Sequence, residues 1–153
     1  MRRKLILIAA VAFLAVAAWR LQPAQKTPLT TLPCVDIVQG CGNRHLQIHF
    51  DQIPHAMQPF RLQINTANAL KVKQVHASFT MQGMDMGLNR YRLTPQTNDI
   101  RDYGIWIANV TLPVCMQGRG NWVMTLEMDT AMGEKQYQLT FTSRLTMYDS
   151  SKQ

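Results

Sequence analysis

Three methionines fall within six residues in the stretch Met81-Gln82-Gly83-Met84-Asp85-Met86-Gly87, where Gly83 and Gly87 let the backbone turn tightly. A thioether is a soft, neutral ligand that suits Cu(I). It needs no deprotonation, so such a site would hold its metal at low pH. In an extended chain Met84 and Met86 project to the same side, and Met81 could join them across the bend at Gly83. Together they would make a trigonal Cu(I) set. Met57, Met116 and Met132 fall in predicted loops and could add a ligand, while His55 and His76 could supply the imidazole that Cu(II) prefers. The same methionines could equally plug the end of a β-sandwich, because Met is an adaptable filler of apolar gaps. His45 and His49 share an outward strand face and read as solvated.

Catalytic chemistry finds little footing. Asp36, Asp51, Asp85, Asp99 and Asp102 are scattered through turns without an acid/base pairing. No Ser or Cys sits in a nucleophile motif, no Gly-rich phosphate loop follows a strand, and Cys115 lacks a CxxC partner. The expectation is a protein that is not an enzyme.

The elements that must position the methionines are β-strands. His45–Asp51 places Leu46, Ile48 and Phe50 on one face, and Phe60–Ile64 alternates in the same way. Val72–Thr80 directs Val75, Ala77 and Phe79 inward and His76 and Ser78 outward. The Met turn follows, then a strand over Arg90–Thr94, with Arg90 or Arg92 available to pair with Asp85. Tyr103–Val110 is apolar on both faces, as in a central strand, and Pro113 stops it. Trp122–Met128 and Tyr137–Thr142 alternate again, separated by a turn at Ala131–Glu134. Turn signals stand at Thr97–Asp99 and Gly118–Gly120. This pattern predicts an all-β fold, an immunoglobulin-like antiparallel β-sandwich of about seven strands.

Ahead of it, Met1–Lys4 is basic and Leu5–Trp19 is uninterruptedly apolar, ending at Arg20. Basic residues stay cytoplasmic, so the remainder should be exported. Residues 1–20 read as a signal anchor or a signal peptide: the run is short against the ~20 residues of a full span, but Trp19 and Arg20 suit the far interface. Ala15-Val16-Ala17 matches a cleavage site. Residues 21–33, with three prolines, read as a flexible tether, and residues 34–149 as the folded domain. The formal charge of +7 falls to +3 without Arg2, Arg3, Lys4 and Arg20, and no basic cluster interleaves aromatics, so nucleic acid is not an expected partner. In an oxidising compartment two of the three cysteines should pair. Cys34 with Cys41 would close a small loop through Gln39-Gly40, Cys115 with either one is the competing connectivity, and one thiol is left over.

The segment Phe79–Leu93, the Cys34–Cys41 stretch and Leu112–Trp122 together resemble small membrane-anchored periplasmic proteins similar to the FixH-like and YtkA-like β-sandwich families. The resemblance implies a bacterial inner-membrane, single-pass protein with a periplasmic domain, or a soluble periplasmic one after signal cleavage. It implies a role near copper handling or assembly of a copper-dependent respiratory complex, with a membrane-protein complex or a copper-handling protein as partner. Carried over by residue, it points to Met81, Met84 and Met86, with Cys115 and Met116 as neighbours. No His lies inside the Met turn, unlike the Met-His arrangement of periplasmic copper chaperones, which narrows any metal to Cu(I).

Overall fold

Alternation of period two builds the long strands, and the computed structural model, which describes residues 27–81, 89–96, 103–114 and 120–144, carries it through both faces of two sheets. In chain order the strands are β1 (Leu29–Thr31), β2 (Cys41–Asn43), β3 (Leu46–Phe50), β4 (Pro59–Ala67), β5 (Val72–Met81), β6 (Arg90–Arg92), β7 (Thr94–Gln96), β8 (Tyr103–Thr111), β9 (Asn121–Thr130) and β10 (Gly133–Thr142). Among the described residues they form two five-stranded sheets, ordered β1-β10-β9-β5-β6 and β2-β3-β4-β8-β7. Only β1 with β10 is parallel; the other strand pairs run antiparallel.

The inward rows interdigitate. Leu46, Ile48 and Phe50 of β3, Phe60, Leu62 and Ile64 of β4, and Val75, Ala77 and Phe79 of β5 are all buried, as are Trp122, Met124, Leu126 and Met128 of β9. Aromatic rings join the sheets. Phe50 meets Phe141 of the opposite sheet edge-on at 5.0 Å between centroids, and Phe60 meets Phe79 at 6.4 Å. Each such pair adds roughly 0.5–1.5 kcal/mol beyond the area it buries. Between β2 and β3 the turn depends on Gly42. Its φ is +128°, and a Cβ there would stand 2.1 Å from the Leu46 carbonyl oxygen.

Three features depart from the alternation-based expectation. First, the sheets begin inside the segment expected to be tether: β1 lies along β10, Leu32 is buried, and its N–H donates to the Gln138 carbonyl at 2.8 Å. Pro28 and Pro33 bracket a strand instead of marking a loose linker. Second, the single strand expected over Arg90–Thr94 is two. β6 pairs with β5 and β7 with β8, and the chain changes sheet at the buried Leu93. Third, the short strands β1, β2 and β7 raise the number above seven, and a 3₁₀ turn at Asn68–Leu70 joins β4 to β5. The anchor at residues 1–20, the turns at Thr97–Asp99 and Gly118–Arg119, and the domain end near 149 lie outside the described residues.

Candidate functional site

Strand parity decides where β5 delivers the first of the three methionines. The irregularity in its pairing with β9 falls between Val72 and Gln74, and from Gln74 to Met81 the register is unbroken. Val75, Ala77, Phe79 and Met81 therefore all face inward. Met81 is 4% exposed and sits opposite Trp122, whose indole N–H donates to Ser143 Oγ at 3.1 Å. Met81 is a core side chain. Met84, Met86 and Asp85 lie outside the described residues, as do Cys115 and Met116.

What the structure does give is the position of the residues that flank them. Asn89 returns to β5 through its carbonyl, which accepts the Phe79 N–H at 2.9 Å. Gly120 leads into β9, and its carbonyl accepts the Ser143 N–H at 2.8 Å. Met81, Trp122 and Phe141 form the last row shared by β5, β9 and β10, one step before the Asn121–Thr142 pair. In the other sheet, the chain past β8 bridges Ala56 at Leu112, and the Leu112 carbonyl accepts the Met57 N–H at 2.9 Å. The Phe60–Phe79 contact, with Phe60 opposite Val110, shows that these two ends are the same end of the molecule. Met57 is exposed there at a positive φ of 61°. His55 stands beside it, bridged to Arg144.

Two other sequence candidates are not brought to this end. Met132 is the exposed tip of the β9–β10 hairpin, held where its N–H donates to Thr130 Oγ1 at 3.2 Å. Thr130 lies eight residue steps along β9 from Trp122, about 26 Å at ~3.3 Å per residue. His76 lies five positions before Met81 and on the opposite face of the sheet. The two cannot share one ion, since the sheet backbone and about 16 Å of strand lie between them.

His76 belongs instead to a charged surface patch. It stands opposite Glu127 on one side and Arg92 on the other, with its Nε2 3.2 Å from Gln74 Nε2. Burial pushes its pKa below the usual imidazole value; Arg90 and Arg92 push the same way and Glu127 opposes them. Arg90 pairs with Glu127. It reaches diagonally across β5 to do so; the pairing of Arg90 or Arg92 with Asp85 expected from sequence lies outside the described residues. At half-exposed positions such a pair contributes about 0–1 kcal/mol. No group of three or more His, Cys, Asp or Glu side chains among the described residues is placed to hold a metal.

Cys34 and Cys41 are joined as a disulfide, Cα atoms 4.8 Å apart, which settles the connectivity left open by spacing. The loop between them is shaped by Asp36, whose Oδ1 accepts the Val38 N–H at 2.8 Å while its carbonyl accepts the Gly40 N–H. The loop forms one wall of a groove of about 830 Å³ whose other wall is the end of β9 and β10. Nothing in the alternation pattern marks this groove, because its lining comes from four separate stretches of chain. Among the described residues no helix is long and apolar enough to cross a membrane. Compared with protein-family models, curated proteins and solved structures, the chain matches none.

Proposed function

We propose that this is a non-enzymatic accessory protein, anchored at the inner membrane by residues 1–20, whose periplasmic domain is an immunoglobulin-like β-sandwich. Its working surface is the end that carries Met57 and the flanks of both thioether-bearing segments. There Met84 and Met86 would bind Cu(I), with Met57, or Met116 and Cys115, as the third soft donor, and pass it to a partner or to a copper-dependent respiratory complex under assembly. The observation that carries this reading is topological: the chain enters and leaves both segments at the same end of the sheets as exposed Met57. Soft ligands drawn from separate loops can converge only where those loops share an end.

A second reading is favoured by one specific fact, the burial of Met81. If one of three methionines is packing, the others can be contact surface in a metal-free protein-interaction module, a use to which adaptable Met side chains are suited. Titration of the full chain in detergent with Cu(I) against a competing chelator separates the two. Under the metal reading, Met84→Leu/Met86→Leu weakens Cu(I) binding by at least about tenfold while Met81→Leu leaves it unchanged, since Leu keeps the volume and removes only the ligand atom. Equal binding by both variants and the parent would reject the metal site.

A further inference from the structure

Among the described residues, the edge of β10 is covered for only part of its length. β1 lies opposite Gln136, Tyr137 and Gln138, and the last bond of this pairing is the Leu32 N–H to the Gln138 carbonyl. Beyond Pro33 the chain turns into the disulfide loop at Cys34. In a strand, the N–H and C=O of one residue point to the same side, and alternate residues to opposite sides. Gln138 faces the edge, whereas Ser143 faces β9, donating to Gly120. Thr140 and Thr142 share the parity of Gln138. Their peptide groups therefore point away from β9, in the gap between the end of β1 and Arg144, whose N–H on the same edge donates to the Pro54 carbonyl at 2.9 Å; both threonines are exposed.

This open stretch forms a wall of the groove beside the disulfide loop. Val35 and Ile53 are exposed apolar side chains in its lining, Val35 wholly so. Asp36 is its one titratable side chain, and no cation pairs with it among the described residues. Other edges are guarded in the usual ways. β6 carries Arg90 and Arg92, β7 carries Pro95, and the far end of β10 carries Glu134 and Lys135. Thr140–Thr142 carries neither charge nor proline.

We propose that this edge receives an extended segment of a partner polypeptide, added as a strand along Thr140–Thr142. Backbone pairing would supply the attachment, and side-chain pockets the selectivity. The groove fits an apolar side chain against Val35 and Ile53, with a lysine or arginine beside Asp36. The proposal does not depend on whether the methionine end binds copper.

The test uses the full chain in detergent and a synthetic capped peptide of alternating valine and threonine bracketed by lysines. In the free chain the Thr140 and Thr142 amides should exchange with solvent rapidly while Leu139 and Phe141 are protected. The peptide should bind saturably and protect Thr140 and Thr142. Methylating alternate peptide nitrogens should weaken it by about tenfold or more, as should Thr142→Pro, which removes an edge-facing donor without touching the β9 ladder. Val35→Lys, at a fully exposed position where folding is not at risk, should weaken it also. The proposal is overturned by binding indifferent to these changes or by no binding at millimolar peptide. It is equally overturned if Thr140 and Thr142 are already protected in the free chain, whether by its own terminal segment in a monomer or by a second copy in a dimer.

Discussion

Met81 is the residue on which packing and ligation make opposite demands, so its substitution is the sharpest probe of the domain. Truncation to Ala removes the γ-methylene, the sulfur and the terminal methyl from a site that is 4% exposed. Transfer of that surface to water costs about 2 kcal/mol, and the residual cavity adds to it. Because Met81 is the last residue of β5, near the end of the sheet, its surroundings can partly collapse. The expected loss is therefore about 2–3 kcal/mol, not the ~5 kcal/mol of a central site. A domain of this size is stable by ~5–15 kcal/mol, so the variant should still fold. Met81→Leu conserves volume and should cost less than about 1.5 kcal/mol. Urea denaturation followed by tryptophan fluorescence would measure both, since Trp106 and Trp122 are buried and Trp122 lies opposite Met81. A loss below about 0.5 kcal/mol for Met81→Ala would refute the packing assignment. A Met81→Leu variant that folds normally but loses Cu(I) affinity would refute it from the other side.

Gly42→Ala should cost more than about 3 kcal/mol or prevent folding, because it combines a positive φ with a backbone clash at 2.1 Å that no rotamer relieves; expression yield and the denaturation midpoint report it. Replacing Cys34 and Cys41 together with Ser opens a loop of sequence separation 7 and should lower stability by about 2–3 kcal/mol, measured by the same denaturation without reductant. His76 is held below its ordinary pKa chiefly by burial, so the unfolded chain binds its proton first as pH falls. Its effect on stability is nil above the ordinary value near 6.5, and stability is lost as pH drops through that value toward the lowered folded one. His76→Gln should remove this part of the acid-side slope, and an NMR titration of the ring should show the lowered midpoint directly.

The long strands were legible because their apolar residues recur at two-residue intervals without interruption. Val75, Ala77 and Phe79 define an inward row, and extending that row by one step places Met81 in the core. Grouping Met81 with Met84 and Met86 by composition passed over its own strand's parity. The short strands had no such signal. β1 is three residues between prolines, β2 is Cys-Gly-Asn, and the change of sheet at Leu93 takes a single residue. The groove was hidden for another reason: Cys34–Ile37, Ile53, Asn121–Trp122 and Thr140–Thr142 meet only through topology. The surface patch was half visible, since the outward direction of His76 follows from alternation but its pairing with Glu127 needs the register of β9.

Parity also constrains where any soft-metal chemistry can live. Within a sheet, inward side chains are committed to the core and outward ones are separated from them by the backbone, so no strand can offer donors from both faces to one ion. His76 and Met81 illustrate the exclusion on a single strand. Met124 and Met128 illustrate it on another, both fully buried among apolar neighbours and unable to reach solvent. Among the described residues the thioethers beyond strand ends are those of Met57 and Met132, and the hairpin tip at Met132 is a strand's length from the end that holds Met57. The proposed Cu(I) site is accordingly assigned to the Met57 end. The decisive variant for that claim is Met57→Leu: at an exposed position it should leave stability within about 0.5 kcal/mol, and any change in Cu(I) affinity would report ligation alone.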